Sequence, residues 1–369
     1  MKILSFHPFS LYSNGGGSRI LRRLYEGKED QITSLVVLEN WSQPEKGKFE
    51  ETIIYASPVT RKWMRWYLRT WITWLRQHFF KFRTIARIRK TAKNISYDVI
   101  HVVQHGPFAA AICDPEFCKG KLLWVSFHDH YTTTHTTKKD AHKLWNSADR
   151  RLVISEEYGK EYQKLFGDLP YEIITDGVAA DEINIPLAVI ETPVLVYFAG
   201  LLHMGYVPLF KVLADVLDSL TKQGFAFKLL LRGTQRIDFF NNRQFQVEYL
   251  PLSFNDTELK AELNSASILY LPIKFTDNYF YLYSLSTKMV GYLGAQGAIL
   301  YHGPGDSAAC TMLQKANCAV CCTTLDENDL KADIENLLNN KIQISQNAKM
   351  LAQKQFDLTD IQKRFWQLA

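Results

Sequence analysis

The fold is indicated most clearly by residues 194–232, VLVYFAGLLHMGYVPLFKVLADVLDSLTKQGFAFKLLLR. An apolar run covers Val194–Ala199, a helical pattern follows over Leu209–Gln223, and a second apolar run covers Lys228–Arg232. Short apolar runs without polar alternation are typical of strands that are covered on both faces. The stretch therefore predicts two parallel strands joined by a crossover helix.

The same alternation of strands and helices extends in both directions along the chain. Further strands are predicted at Lys2–His7, Ser34–Leu38, Val99–Val103, Leu122–Phe127, Arg151–Ile154, Tyr171–Ile174, Gln246–Leu250, Ile268–Pro272, Ala298–Tyr301 and Ala319–Cys322. Further helices are predicted from Ser18 onward and at Asp256–Ser265, Thr287–Gly294, Ser307–Ala316 and Leu358–Leu368. We therefore predict an α/β protein with two Rossmann-like domains, residues 1–185 and 190–355, and a last helix, 356–369, that packs back toward the first.

Length and composition exclude two classes of protein. A chain of 369 residues is too long for one small binding module, and 47% hydrophobic residues exclude wholesale disorder. We find neither a leader-like segment at the start nor an apolar run long enough to cross a bilayer, so we expect a cytoplasmic protein. The formal charge of +5 is too small to indicate a nucleic-acid partner by itself.

A glycine turn follows the first predicted strand. Gly15, Gly16 and Gly17 lack side chains, so backbone N–H groups there can approach an anionic ligand closely at the start of a helix. The alternative is a tight strand-to-helix turn without a ligand.

Two further segments have side chains suited to chemistry. His128 and Asp129 end a predicted strand, where they are placed to orient or deprotonate a substrate hydroxyl. The alternative is a loop histidine that caps the next helix. No second cluster of ligands supports a metal site.

Ser286, Thr287 and Lys288 open a later helix, either as an ordinary N-cap or as a site for the negative charge of a leaving group.

One segment concentrates the positive charge. Between Thr52 and Tyr97 there are eleven Lys and Arg but no Asp or Glu, and four of the eight Trp lie there. On a helical wheel the cations of residues 61–93 form one stripe and the aromatic residues the opposite one. This pattern predicts contact with an anionic membrane surface or a lipid-linked acceptor through Trp63, Arg69, Trp71, Trp74 and Arg76. Packing of the aromatic stripe into the first domain is the alternative, and single-stranded nucleic acid is disfavoured because no recognition module for it occurs elsewhere.

Several of these segments resemble one known family. Ser286-Thr287-Lys288-Met289-Val290-Gly291-Tyr292-Leu293 with Gly303-Pro304-Gly305-Asp306-Ser307 is similar to the donor-site region of GT-B glycosyltransferases of the family-4 type. Six further segments resemble the other motifs of this family and occur in the same order. They are the glycine turn, His128-Asp129, Val153-Ile154-Ser155-Glu156, Ile174-Thr175-Asp176-Gly177-Val178, Val196-Tyr197-Phe198-Ala199-Gly200 and Ala266-Ser267-Ile268-Leu269-Tyr270-Leu271-Pro272.

The sequence departs from that family at the donor site. The family's ribose-binding carboxylate falls on Gly291, and the first acid of its E-x7-E pattern falls on Tyr283. The cations that grip the donor diphosphate in the family fall near Leu201 and Tyr206. Lys288, Arg232 and the helix N-termini are the substitutes that we expect.

The resemblance implies two domains facing across a cleft and transfer of a sugar from a nucleotide-diphosphate-sugar donor to an acceptor hydroxyl. We expect no cofactor, and no metal is needed because helix dipoles and cations stabilise the leaving group. Anomeric configuration would be retained. In this hypothesis the donor-binding residues are Gly15, Gly16, Gly17, Arg232, Tyr283, Ser286, Thr287 and Lys288, and the catalytic residues are His128 and Asp129. The acceptor would be a glycan or a lipid-linked precursor. The alternative is a GT-B-like protein without turnover that binds a lipid or glycan partner.

Overall fold

The structure is a computed structural model that describes residues 1–38, 47–56, 71, 74–75, 80–184, 192–202, 204–253 and 255–368. Its strands are β1 (Ile3–His7), β2 (Ile32–Leu38), β3 (Glu50–Tyr55), β4 (Val99–Val103), β5 (Leu122–Phe127), β6 (Arg150–Val153), β7 (Glu172–Ile173), β8 (Val194–Ala199), β9 (Phe227–Arg232), β10 (Gln246–Leu250), β11 (Ile268–Pro272), β12 (Ala298–His302) and β13 (Ala319–Cys322). Its α-helices are α1 (Gly16–Tyr25), α2 (Lys81–Lys93), α3 (Pro115–Cys118), α4 (Lys138–Ser147), α5 (Glu156–Phe166), α6 (Val207–Lys222), α7 (Asp256–Ser265), α8 (Asn278–Tyr281), α9 (Thr287–Gly294), α10 (Ala308–Lys315), α11 (Glu327–Gln355) and α12 (Leu358–Trp366).

The chain forms two compact units. The first comprises Met1–Asp176 and Ile361–Ala369, and the second comprises Gly177–Asp360. Among the described residues, the first unit has a seven-stranded sheet in the order β3-β2-β1-β4-β5-β6-β7 and the second a six-stranded sheet in the order β10-β9-β8-β11-β12-β13. The ladders of both sheets are parallel, so the α/β prediction with two Rossmann-like halves is confirmed.

Strand β8 shows why its apolar run lacks alternation. Val196 and Phe198 belong to one buried cluster of the second unit, whereas Tyr197, between them, belongs to the other. Successive side chains of a strand point to opposite faces, so both faces of this sheet are covered. Helices α6 and α11 contribute Leu213 and Leu337 to the first of these clusters.

The last helix packs as the sequence predicts. Ile361, Phe365 and Leu368 are buried in the core of the first unit. The Phe365 ring lies edge-on to Trp124 at a centroid distance of 5.2 Å, and the indole Nε1 of Trp366 donates to the Leu24 carbonyl at 2.9 Å.

Three features differ from the sequence-based expectation. Helix α1 begins at Gly16 rather than Ser18, so two glycines lie in its first turn. Strand β3 and the 29-residue helix α11 were not identified from the sequence. β3 is an edge strand of the described sheet that begins with Glu50 and Glu51 and buries only Ile54, and α11 is mostly polar with an apolar stripe, so neither produces a continuous apolar run.

Candidate functional site

The strand order of the second sheet reverses between β8 and β11. From β8 the chain proceeds to β9 and β10 on one side, and from β11 to β12 and β13 on the other. In open parallel sheets, ligands bind at the carboxyl ends of the strands at this switch point. Gly200 follows β8 there, and Lys274 lies two residues after β11.

Gly200 has a backbone that only glycine adopts easily. Its φ is +133°, and a β-carbon on it would lie 3.0 Å from the Nζ of Lys288. The glycine therefore leaves room for the Lys288 ammonium beside the end of β8.

Lys288 lies in the first turn of α9. The Ser286 hydroxyl accepts a hydrogen bond from the Lys288 N–H at 3.2 Å, so Ser286 is the N-cap and Thr287 the first helical residue. The Lys288 Nζ lies 4.2 Å from the centroid of the Phe198 ring, and it makes no ion pair within the described part of the chain. Burial lowers the pKa of Lys288 to about 8. A half-buried ammonium without a carboxylate is a suitable partner for a ligand anion.

Lys274 is a second cation at the same switch point, and the sequence analysis missed it. Its Nζ lies 5.7 Å from the ring centroids of both Tyr206 and Phe280. The signal was present, because a lysine two residues after an apolar strand at a switch point lies at the ligand-binding edge.

Arg232 ends β9, but other protein groups hold its guanidinium. Its Nε donates to Glu262 at 2.9 Å, and its two terminal nitrogens donate to the Pro251 carbonyl at 2.6 Å and to Glu258 at 3.0 Å. The side chain is only 4% exposed. These contacts leave it poorly placed to grip a donor, contrary to what the sequence suggested.

The segment after β11 has no acidic side chain over residues 278–305. Tyr283 is half-buried between α8 and α9. Beyond it, the Ser307 hydroxyl caps α10 by accepting from the Cys310 N–H at 2.9 Å. Asp277 and Asp306 bracket this stretch, so between them the second unit presents a cation and helix N-termini at this edge, where the family pattern has carboxylates.

The glycine turn of the first unit lies against an aromatic ring and an imidazole. Gly15 is the N-cap of α1 and makes no side-chain cap, while Gly16 and Gly17 form the first turn. A β-carbon on Gly17 would lie 2.6 Å from the Phe9 ring and 3.4 Å from His128 Nδ1. Gly17 therefore allows α1 to approach the end of β5, which brings the glycine turn and His128 together.

His128 is a buried imidazole with both ring nitrogens lacking a hydrogen-bond partner in the described residues. It is 6% exposed, and burial, followed by the neighbouring His105 and His7, lowers its pKa to about 3. The ring is therefore neutral at pH 7, with one nitrogen able to donate and the other able to accept. Such a group suits a ligand hydroxyl better than it suits strong general-base catalysis.

Two histidines that the sequence analysis did not identify lie close to this site. His7 is the last residue of β1 and His105 lies two residues after β4. Both line a pocket together with Phe6, Val103 and Phe108. His7 Nε2 is also buried without a hydrogen-bond partner among the described residues.

Asp129 is held through its backbone. Its carbonyl accepts a hydrogen bond from the Tyr158 hydroxyl at 2.6 Å, and its side chain is half-buried. Across the described residues, no group of three or more His, Cys, Asp or Glu side chains is arranged to hold a metal ion.

Solved structures of similar shape identify the fold. A protein of Anabaena, Alr3699/HepE in complex with UDP and glucose, aligns with a TM-score of 0.70 at 14% identity, over 100% of this chain and 98% of that one. A glycosyltransferase of Rickettsia africae aligns at 0.66 and 11% identity, over 100% and 97%. The lipopolysaccharide outer core galactosyltransferase WaaB aligns at 0.62 and 11% identity, over 100% and 99%.

The chain has the GT-B fold. No family model and no curated protein matches its sequence. The likeness of this GT-B chain to glycosyltransferases is therefore one of architecture, and its own residues must support any activity.

The basic segment of this GT-B chain is described only in part. Trp63, Arg69 and Arg76 lie outside the described residues, whereas Trp71 is 56% and Trp74 47% exposed. No helix among the described residues is both long and apolar enough to span a bilayer.

Helix α2 corrects one part of the helical-wheel prediction. Its buried side consists of Thr84, Ile88 and Ala92. Phe82, which was expected to lie opposite the cations, is 77% exposed and lies beside the exposed Arg83. Aromatic and basic groups therefore share the solvent-facing side of α2.

Proposed function

We propose that this GT-B protein transfers a sugar from a nucleoside diphosphate sugar to an acceptor hydroxyl. The observation that carries the proposal is the Lys288 ammonium at the switch point of the second sheet, beside Gly200 and without an ion-pair partner in the described chain. Structures of the Anabaena protein HepE contain UDP, glucose or UDP-glucose, which agrees with this class of donor.

In this proposal Lys288 stabilises the diphosphate leaving group. When the bond between the anomeric carbon and the diphosphate breaks, negative charge develops on the diphosphate oxygen. A preorganised cation and the N-terminus of α9 stabilise that charge more in the transition state than in the ground state. Ser286 and Thr287 contribute by fixing the start of the helix, and we propose that Tyr283, three residues before Ser286, also contacts the donor. Arg232 is left out of the donor site because Glu258 and Glu262 hold it.

The first unit supplies the acceptor side of the proposal. In this proposal His128 and Asp129 position the acceptor hydroxyl, and the N–H groups of Gly15, Gly16 and Gly17 bind a ligand phosphate. Because burial lowers the pKa of His128 to about 3, we propose that this imidazole orients the acceptor hydroxyl rather than takes its proton, which is carried away in the products. We propose retention of anomeric configuration from the family resemblance, and independence of metal ions because Lys288 and the helix N-termini stabilise the leaving group. The anomeric proton coupling of the product and activity in EDTA test these two points.

A nucleotide-binding and hydrolysis experiment tests the function directly. UDP and GDP are titrated by calorimetry, and the release of nucleoside diphosphate from their sugar conjugates is then measured. We expect binding of at least one nucleotide and slow hydrolysis of its sugar conjugate. If neither nucleotide binds at millimolar concentration, the enzyme proposal is overturned, and the alternative of a GT-B-like protein that binds a lipid or glycan partner without turnover is favoured.

A second observation favours a lipid-linked or membrane-apposed glycan acceptor. Trp71, Trp74 and Phe82 expose large apolar surface, and they belong to the stretch of sequence between Thr52 and Tyr97 that has eleven Lys and Arg but no Asp or Glu. This combination binds anionic bilayer interfaces, so we propose a cytoplasmic protein that associates peripherally with the inner face of a membrane. Wild type should float with phosphatidylglycerol-containing liposomes, and the double variant Trp71→Ala, Trp74→Ala should float less. Failure of the wild type to float would contradict the membrane proposal without affecting the donor proposal.

A further inference from the structure

Lys274 has no role in the function argued so far. It lies on the β11 side of the switch point, whereas Gly200 and Phe198 place Lys288 on the β8 side. Strands β8 and β11 are hydrogen-bonded neighbours, so their carboxyl ends form the two sides of one crevice. Each side of the crevice therefore carries one lysine.

Local packing holds the Lys274 side chain in place. A β-carbon on Gly205 would lie 2.7 Å from the Lys274 Cδ, so the side chain lies directly against that glycine. The rings of Tyr206 and Phe280 each lie 5.7 Å from the ammonium. Contacts of this kind orient a cation but do not neutralise its charge.

The charge on Lys274 is not compensated by a bound carboxylate. It makes no ion pair in the part of the chain that the structure describes, and residues 278–305 contain no Asp or Glu. The nearest acid in sequence, Asp277, caps α8 by accepting from the Phe280 N–H at 3.3 Å; after burial, its charge also helps to raise the pKa of Tyr206, but it forms no ion pair with Lys274. Tyr206, beneath the ammonium, is also the N-cap of α6, whose first turn has no acidic residue. The positive end of that helix adds to the field of the lysine.

We propose that Lys274 and Lys288 together bind the two phosphate groups of the donor, and that Lys274 makes the site selective for nucleoside diphosphates over nucleoside monophosphates. The inference rests on the proposed sugar transfer and names the donor class that it uses. Lys274 takes the place of the cations that the sequence lacks near Leu201 and Tyr206. With Lys288 at one phosphate, a second lysine adds a charge-assisted contact to the other phosphate, which a monophosphate lacks.

The test compares diphosphates with monophosphates. UDP, GDP and dTDP, and the corresponding monophosphates, are titrated by calorimetry into the full-length wild type and into Lys274→Met. We expect the wild type to prefer one diphosphate over its monophosphate, and Lys274→Met to bind that diphosphate about tenfold more weakly, as loss of one charge-assisted contact implies. Its affinity for the monophosphate should change much less.

Matched variants make the result specific. Lys274→Arg keeps the charge and should retain most of the affinity, and Lys274→Gln replaces the Met variant if that one fails to fold. Lys222→Met removes an exposed lysine at the opposite end of α6 and should leave every affinity unchanged.

Two results would overturn the inference, and they differ. If Lys274→Met binds the diphosphate as tightly as the wild type while Lys288→Met binds it weakly, Lys274 has no such role although the proposed function stands. If the wild type binds none of the diphosphates at millimolar concentration, the inference and the proposed function fail together.

Discussion

The pH dependence of nucleotide binding follows from the environment of Lys288. Burial lowers the pKa of its ammonium to about 8 in the free protein. A bound diphosphate stabilises the charged form, so its pKa rises toward or above the ordinary value of 10.5. At a pH between these two pKa values, Lys288 carries a proton in the complex that it has largely lost in the free protein. Binding therefore takes up a proton, and affinity falls as pH rises above 8.

The size of the effect follows from the same two values. With a pKa of about 8, roughly nine-tenths of Lys288 is charged at pH 7 and about one-tenth at pH 9, so affinity falls about tenfold over this interval. At pH 9 the uptake is about one proton per nucleotide. Calorimetry in two buffers of different ionisation enthalpy measures both quantities.

The Lys288→Arg variant is the control. Its guanidinium stays charged throughout this range, so its affinity should be nearly independent of pH between 7 and 9. Equal affinity of the wild type at pH 7 and pH 9, or the same decline in the arginine variant, would refute the assignment of Lys288 as the anion-binding group.

Three further substitutions test other parts of the structure. Gly200→Ala should lower the free energy of unfolding by about 1–3 kcal/mol, because alanine is strained at φ +133°. It should also weaken nucleotide binding, because the new methyl group displaces Lys288, and unchanged affinity in calorimetry would contradict the contact. Arg232→Met should lower the free energy of unfolding, measured by chemical denaturation, by about 3–5 kcal/mol, because it leaves Glu262 without its partner. The folded variant should bind nucleotide normally, and a selective loss of binding would show that Arg232 belongs to the donor site. Phe365→Ala should cost about 3–5 kcal/mol through the cavity it leaves in the first unit, whereas the exposed control Phe82→Ala should change stability by less than about 0.5 kcal/mol.

The sequence predicted the strand–helix alternation because its strands are buried on both faces. Runs such as Val194–Ala199 and Ile268–Pro272 are apolar throughout, and their bounds match the structure. Edge strand β3 and helix α11 escaped prediction because each buries only part of its surface. Their polar exposed faces interrupt the apolar pattern on which sequence analysis depends.

The candidate site was predictable only where backbone geometry determines it. Gly17 lies in the glycine turn between β1 and α1, and Ser286 is the N-cap of α9, so both depend on local backbone geometry that the sequence indicated directly. Arg232 looked available because the two glutamates that hold it lie 26 and 30 residues later in the sequence, on α7. Lys274 was missed for the converse reason, since its isolation from carboxylates depends on tertiary packing.

A crystal structure of the protein with bound UDP or GDP tests the central claim most directly. The account predicts that the diphosphate lies at the carboxyl ends of β8 and β11, with a phosphate oxygen within about 3 Å of the Lys288 Nζ, an ordinary hydrogen-bond distance. A nucleotide bound elsewhere, or bound there without contact to Lys288, would contradict it.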